Sequence, residues 1–263
     1  MATPESIELL ITVKSYPSPS KTYQETVCVA GIRVDSDPYE WIRLYPIRFR
    51  DLPRTAQFKK YQLVTLNVTR PSSDTRPETR RPIENTLVLG ESLSTKGNWV
   101  DRRRFVEPLM SNSMCEVATE NSATRKSLGI FRPAEVLDVV VSKEDDDWTP
   151  KQQNILNEIQ FWSQTKRPLE KIPYVFKLKY LCSAGKCKGH EQSIIDWEIA
   201  QLYRNVRSNL GAESDDDEVI AKVKGRIFDI CSDKNNYALF VGNQHVHQRS
   251  FLILGFFYPK KEG

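Results

Sequence analysis

The segment YQLVTLNVTR, residues 61–70, has a clear strand pattern in the N-terminal part of the chain. Its apolar members are Leu63, Val64, Leu66 and Val68. Apolar and β-branched residues over this length are typical of one strand that lies in a sheet. The segment therefore makes β-structure the starting point for the fold.

The residues before this segment show similar strand patterns. Ranges 7–14, 25–34 and 41–45 are also apolar and β-branched, and Pro, Ser and Asp residues separate them. Several strands with short connections predict a small barrel or a strongly twisted sheet. Small barrels often carry nucleic-acid sites, although fold alone is a weak guide to function.

The strand pattern ends after this segment. Residues 71–84, PSSDTRPETRRPIE, contain three prolines and follow neither the strand nor the helix period. We expect an exposed, semi-rigid arm that could lie along a phosphate backbone.

The C-terminal part mixes helix and strand patterns. Helices are predicted from Thr149 as N-cap, from about Ser193 to Leu210, and after the acidic run 214–217. Ranges 237–242 and 251–257 predict a final β-hairpin. The predicted fold class is α+β, with a β-rich N-terminal half, a small barrel or twisted sheet, and a helix-rich α+β C-terminal half that ends in a hairpin.

These patterns predict two domains. Residues 1–142 form a β-rich basic domain, 143–152 an acidic linker, and 153–263 an α+β domain that contains a Cys/Cys/His cluster.

The charge is unevenly distributed. The chain has 38 Lys and Arg against 34 Asp and Glu, a net charge of +4. Residues 42–104 contain 14 basic and 6 acidic residues, so this segment carries +8 and the remainder −4. Arginine dominates the segment, and its planar guanidinium binds phosphate with two hydrogen bonds.

Aromatic residues are interleaved with these arginines, and a basic surface with aromatic side chains is typical of nucleic-acid binding. The predicted partner is therefore nucleic acid. The predicted contact residues are Arg48, Arg50, Arg76, Arg80, Arg81, Arg102, Arg103 and Arg104. The alternative interpretation is a solvated surface with scattered ion pairs over an aromatic core.

Five cysteines and three histidines are present. The segment Cys182-Ser-Ala-Gly-Lys-Cys187-Lys-Gly-His190 places three soft or borderline ligands within nine residues. Zinc binds such thiolates and imidazoles tetrahedrally, so Zn is the expected cofactor. We take Cys231 as the fourth ligand, with His245, His247 or a water as alternatives. Two loop cysteines beside an unrelated surface histidine would produce the same spacing.

An enzyme is the second functional hypothesis. His190, Glu191, Asp196, His245 and His247 could form the site of a metal-dependent phosphoesterase or nuclease. Asp196 could equally be an acidic residue that stabilises the start of a helix. The sequence contains no G-x-G-x-x-G, Walker A, H-E-x-x-H or G-x-S-x-G motif. A third hypothesis is a protein–protein interaction module built from the hairpin and tryptophan residues.

Membrane and secreted classes are not expected. The longest apolar run, residues 251–259, is nine residues long, whereas a spanning helix needs about 18. The first residues lack a basic and an apolar region, so no signal peptide is predicted. We expect a cytoplasmic protein with reduced thiols and no membrane partner.

Overall fold

The computed structural model describes residues 3–20, 24–162, 168–211 and 214–261. Over these residues the chain is mixed α+β, with a barrel-like sheet first, helices mainly in the C-terminal half and a β-hairpin at the end. The fold class predicted from the sequence is therefore confirmed. None of the described helices is both long enough and apolar enough to cross a membrane.

Seven strands form the N-terminal sheet. They are β1 (Glu5–Lys14), β2 (Ser18–Ser20), β3 (Gln24–Arg33), β4 (Glu40–Ile47), β5 (Gln62–Thr69), β6 (Thr79–Pro82) and β7 (Val88–Ser92). The pairing order is β1-β3-β4-β6-β5, and β5 pairs back with β1. Five strands thus close a barrel, with β2 and β7 attached to β3 and β5.

Strand β1 is buried on both faces. Ile7, Leu9 and Ile11 lie in the apolar cluster inside the barrel. Leu10 lies on the opposite face, and Val13 joins it after a register shift between Ile11 and Val13; both lie in a second cluster, which also contains residues of the C-terminal half. Successive side chains of a strand point to opposite faces, so this one strand belongs to both cores.

Two further sheets form the C-terminal half. One contains β8 (Met110–Ser111), β9 (Leu128–Phe131), β13 (Ala238–Asn243) and β14 (Phe251–Phe257), in the order β14-β13-β9-β8. The other is antiparallel and contains β10 (Pro133–Lys143), β11 (Tyr174–Cys182) and β12 (His190–Ser193). Since β10 pairs with β11 across residues 143–152, the strands on either side of the predicted linker belong to one sheet. The domain division itself stays a prediction.

The helices are α1 (Lys96–Val106), α2 (Met114–Thr124), α3 (Pro150–Trp162), α4 (Trp197–Leu210) and α5 (Asp216–Ile230). Ser113, Asp196 and Asp215 cap α2, α4 and α5 by accepting hydrogen bonds from backbone N–H groups. Helix α4 begins at Trp197 and not near Ser193, because residues 190–193 pair with β11 as strand β12.

The expectation of an exposed arm at residues 71–84 is wrong for its second half. Residues 79–82 form β6, which pairs with both β4 and β5. Arg76, which precedes β6, and Arg80 within it are buried, because ion pairs with Asp74 and Glu5 offset the cost of removing their charges from water.

The two halves are joined by packing and by charge. The second apolar cluster contains Trp41 of β4 together with Ile130, Phe240 and Leu254 of the C-terminal sheet. Lys60, just before β5, lies with its Nζ atom 3.6 Å from Oδ2 of Asp196 and 2.8 Å from Oε2 of Glu198. Both Lys60 and Asp196 are buried side chains, so the pair is held away from bulk water.

Candidate metal centre and ligand cavity

Four side chains converge at one end of the three-stranded sheet. The ligand atoms of Cys115, Cys182, Cys187 and His190 all lie within 4.8 Å of one another. This group could hold a metal ion. Cys182 ends β11, Cys187 lies in the turn that follows, and His190 begins β12. The turn closes with a hydrogen bond from the Cys187 N–H to the Ala184 carbonyl.

Cys115 comes from a different element, the first turn of α2. Its Sγ atom is 3.5 Å from Sγ of Cys182 and 3.6 Å from Nε2 of His190. Burial and the hydrogen bond with Cys182 raise the pKa of this thiol to about 12, so binding a metal ion there would release its proton. Helix α2 thus completes a set that the β11–β12 turn begins.

The distances fit a tetrahedral ion. Zinc with Zn–S near 2.3 Å and Zn–N near 2.0 Å requires S···S of about 3.8 Å and S···N of about 3.6 Å. The observed S···S distance between Cys115 and Cys182 is 3.5 Å, and His190 Nε2 is 3.6 Å from Sγ of each of these cysteines. Cys115, Cys182 and His190 are therefore already close to the spacing that one shared ion demands.

The surroundings orient the ligands. The His190 ring stacks on Tyr180 with ring centroids 5.2 Å apart, and the N–H of Gly189 donates to Sγ of Cys187. Burial alone would raise the pKa of Cys182, but hydrogen bonds from the backbone N–H groups of Ala184 and Cys115 outweigh it, so the pKa is lowered. A thiolate at Cys182 is the form that binds a metal.

The structure corrects the predicted fourth ligand. Cys231 lies at the C-terminal end of α5 in the apolar core and is not part of the group. Burial raises its pKa to about 12, so it is a structural thiol. Sequence reasoning missed Cys115 because 67 residues separate it from Cys182, and only the fold brings the two together.

The residues predicted for an enzyme have different described contacts, and the enzyme site stays a prediction. His190 belongs to the metal group, whereas the Glu191 carboxylate pairs with Lys177 at 3.1 Å. Asp196 caps α4 beside Lys60, and burial raises its pKa to about 6 although Lys60 opposes the shift. His245 and His247 lie in the loop between β13 and β14.

Most of the predicted nucleic-acid arginines are engaged inside the protein. Arg50 pairs with Glu25, and Arg103 with Glu107. Arg102 donates to the Leu93 carbonyl and lies over the rings of Tyr61 and Trp99. With Arg76 and Arg80 buried, these arginines stabilise the fold through ion pairs and hydrogen bonds, which neither interpretation of the sequence predicted.

Three of the eight predicted arginines remain exposed: Arg48, Arg81 and Arg104. Arg48 lies beside Glu84 and Arg104 lies over the ring of Phe105. Arg81 differs from both, because it lines a cavity.

This cavity has a volume of about 620 Å³, a size typical of ligand pockets, and it opens between the barrel and the C-terminal hairpin. The barrel contributes residues of β2, β3, β4 and β6, and the loop after β5 contributes Ser73 and Asp74. The C-terminal half contributes Leu252 and Leu254 of β14 and the start of the β13–β14 loop. Neither half could form the cavity by itself.

An ion pair is built into its wall. Arg76 donates to both carboxylate oxygens of Asp74 and, through Nη1, to the Asn243 carbonyl at 2.9 Å. Burial would raise the pKa of Asp74, but the hydrogen bonds and charge of Arg76 hold it well below its usual range. His245 Nδ1 lies 3.5 Å from Oδ1 of the same carboxylate. Asp74 therefore presents a fixed negative charge.

Arg43 provides a second fixed charge. Its side chain is among the most deeply buried in the protein, at 2% exposure. It donates to Sγ of Cys28 at 3.2 Å and to the carbonyl of Ser127 at 3.0 Å. Its Nε atom has no hydrogen-bond partner among the described residues.

The chain matches two protein-family models. Residues 110–263 match the model described as "Domain of unknown function (DUF8757)", and residues 5–108 match "Domain of unknown function (DUF8758)". The first match covers more than half of the chain, so the protein belongs to the DUF8757 family.

A solved structure described as "Structure of murine DNA binding protein bound with ds DNA" is 9% identical in sequence. The alignment covers 98% of this chain and 97% of that chain, with a TM-score of 0.31. Comparison with curated proteins finds no match.

Proposed function

We propose that this protein binds nucleic acid through the face on which the cavity opens, and that a zinc ion at Cys115, Cys182, Cys187 and His190 stabilises its C-terminal half. The main support for nucleic-acid binding is that two polar segments converge at one opening. Residues 70–81 bring Arg81 and the Asp74–Arg76 pair, and loop 243–250 brings His245. We call this opening, lined by Ser73, Arg81, Gln244, His245 and Val246, the cavity mouth.

Further exposed hydrogen-bond donors lie close to the mouth along the chain. Arg70 precedes the mouth residue Ser73, and His247 and Arg249 follow Val246. Arginine and histidine side chains can both donate hydrogen bonds to phosphate oxygens. A nucleic-acid backbone that crosses the mouth would meet donors from both segments, which supports this face rather than the arginines of α1.

Binding is tested by titrating fluorescently labelled single- and double-stranded DNA and RNA with the protein at several salt concentrations. We expect log Kd to rise linearly with log salt, and Arg81→Ala to reduce the slope by about one phosphate contact. Arg54→Ala is the matched control, because Arg54 is exposed and does not line the cavity. Equal slopes for wild type and Arg81→Ala would contradict this binding face.

Zinc is supported by the chemistry of the donors. Three thiolates and one imidazole form a soft, four-coordinate set that leaves no position open for substrate, as in structural zinc sites. Bound there, zinc would supply a crosslink between α2 and the β11–β12 turn. The chain's own contribution is to place the four ligands before the ion arrives.

Metal content of the purified protein tests the zinc site. We expect close to one equivalent in wild type and in Cys231→Ser, since Cys231 lies in the core. Cys115→Ser should lose most of the metal. If Cys115→Ser retained zinc, or if the wild-type protein contained none, this ligand set would be wrong.

A further inference from the structure

The cavity contains features that phosphate binding alone does not require. Its wall includes the aromatic side chains of Tyr16 and Tyr45 and the apolar side chains of Ile195, Leu252 and Leu254. Apolar and aromatic walls with a few fixed polar groups are typical of a pocket for a planar organic ligand. Aromatic rings in particular provide faces on which a nucleobase can stack.

The polar groups include both signs of charge. Arg43 lines the cavity, but its Nε atom is buried out of reach of water and its Nη atoms donate to Cys28 and Ser127, so among the described residues it contributes a fixed positive charge and no free donor. Asp74 also lines it and offers only acceptors, because Arg76 keeps it ionised. The Asp74 side chain is only 9% exposed and cannot turn away into solvent.

A nucleobase fits a wall that carries both kinds of hydrogen-bonding group. The Asp74 carboxylate accepts, and the amide of Gln244, which also lines the cavity, both donates and accepts. The edge of a nucleobase carries N–H donors and O or N acceptors side by side, so it can satisfy both groups together.

The mouth has an exposed apolar residue. Val246 is 77% exposed at the tip of the β13–β14 loop, between His245 and His247, and it lines the cavity. Proteins that kink nucleic acid often insert an apolar side chain between bases. Enzymes that act on a base first extrude it from the stack into a pocket.

We propose that the cavity accepts a single nucleobase, extruded from the nucleic acid that crosses the mouth, and that Val246 enters the space which the base leaves. This rests on the proposed nucleic-acid binding and names the part of the ligand that the cavity recognises. Tyr16 and Tyr45 supply the stacking faces, and Asp74 and Gln244 contact the edge of the base.

Nucleoside monophosphates test the pocket independently of the mouth. AMP, GMP, CMP and UMP, with ribose 5-phosphate as the ligand without a base, are titrated into the full chain and followed by ligand-observed NMR. Ser73→Trp should obstruct the cavity, because Ser73 is an exposed loop residue in its lining. Ser72→Trp is the matched control, exposed on the same loop but outside the lining.

We expect at least one nucleotide to bind wild type and Ser72→Trp equally, and Ser73→Trp at least about tenfold more weakly. Ribose 5-phosphate should bind more weakly than that nucleotide by a similar factor. If no nucleotide binds, or if Ser73→Trp retains the affinity, the pocket assignment is wrong.

Labelled oligonucleotides titrated with the same variants separate this result from the proposed function. Oligonucleotide binding without nucleotide binding would overturn the pocket and leave the mouth as a binding face. Nucleotide binding without oligonucleotide binding would keep the pocket as a mononucleotide site and overturn extrusion from a longer strand.

Discussion

Glu78 connects the two halves of the molecule at the scale of a single side chain. Its carboxylate accepts hydrogen bonds from the N–H and the hydroxyl of Ser127 and from the N–H of Leu128, just where the chain enters β9. Arg43 donates to the same Ser127 from the barrel side. All of these groups are buried, so each depends on its partner to replace water.

Glu78→Ala should lower the free energy of unfolding by about 3 kcal/mol, because it leaves two buried N–H groups without acceptors. Urea denaturation followed by far-UV circular dichroism measures the change. Glu91→Ala removes an exposed carboxylate from β7 and should change the stability by less than about 0.5 kcal/mol. Equal losses in the two variants would show that the Ser127 hydrogen bonds do not join the halves.

At the scale of one element, the β11–β12 turn determines the metal group. Gly189 has a φ of +94°, which favours glycine because it has no Cβ atom. The same residue donates its N–H to Cys187 and immediately precedes His190. Its backbone conformation therefore sets the position of two ligands.

Gly189→Ala should weaken zinc affinity about tenfold, because the strain of an alanine at this φ falls on the ligand-bearing turn. Competition with a chromophoric chelator measures the affinity. Gly185→Ala in the same turn is the control, since no heavy atom lies within 4 Å of the added Cβ and its φ is not positive. The prediction fails if the two variants bind zinc equally well.

The same element shows how far sequence reasoning reaches. Cys182, Cys187 and His190 were predictable because their spacing is local, within nine residues. Cys115 was not, because α2 approaches the turn only through long-range packing. Its one local signal is the capping residue Ser113, which places Cys115 in the first turn of a helix.

The strands could be predicted from local sequence, whereas the partners of the arginines could not. Apolar and β-branched runs bounded by turn residues predicted β5 and the final hairpin, since the signal for each strand is local in the sequence. The burial of Arg76 and Arg80 was not predictable, because Glu5 and Asn243 lie far from them in sequence. Charge counting locates arginines along the chain but says nothing about their partners in space.

At the scale of the whole molecule, the cavity exists because the barrel and the C-terminal half are held together. Lys60 and Asp196 contribute the charged part of that contact, at side-chain exposures of 9% and 3%. Asp196 also caps α4, so the ion pair attaches this helix to the barrel.

Lys60→Met should lower the free energy of unfolding by about 3 kcal/mol, because it leaves a buried carboxylate without its cation. Lys59→Met is the control, since Lys59 is the exposed neighbour of Lys60. Thermal unfolding measures both. An unchanged midpoint for Lys60→Met would mean that apolar packing alone joins the halves.

We can check the claim that nucleic acid crosses the cavity mouth by hydrogen–deuterium exchange with and without a bound oligonucleotide. Protection should appear in residues 71–81 and 243–250, the two segments that meet at the mouth. Helix α5, which contributes no residue to the cavity, should exchange at an unchanged rate. Unchanged exchange in both mouth segments while the oligonucleotide is bound would contradict the claim.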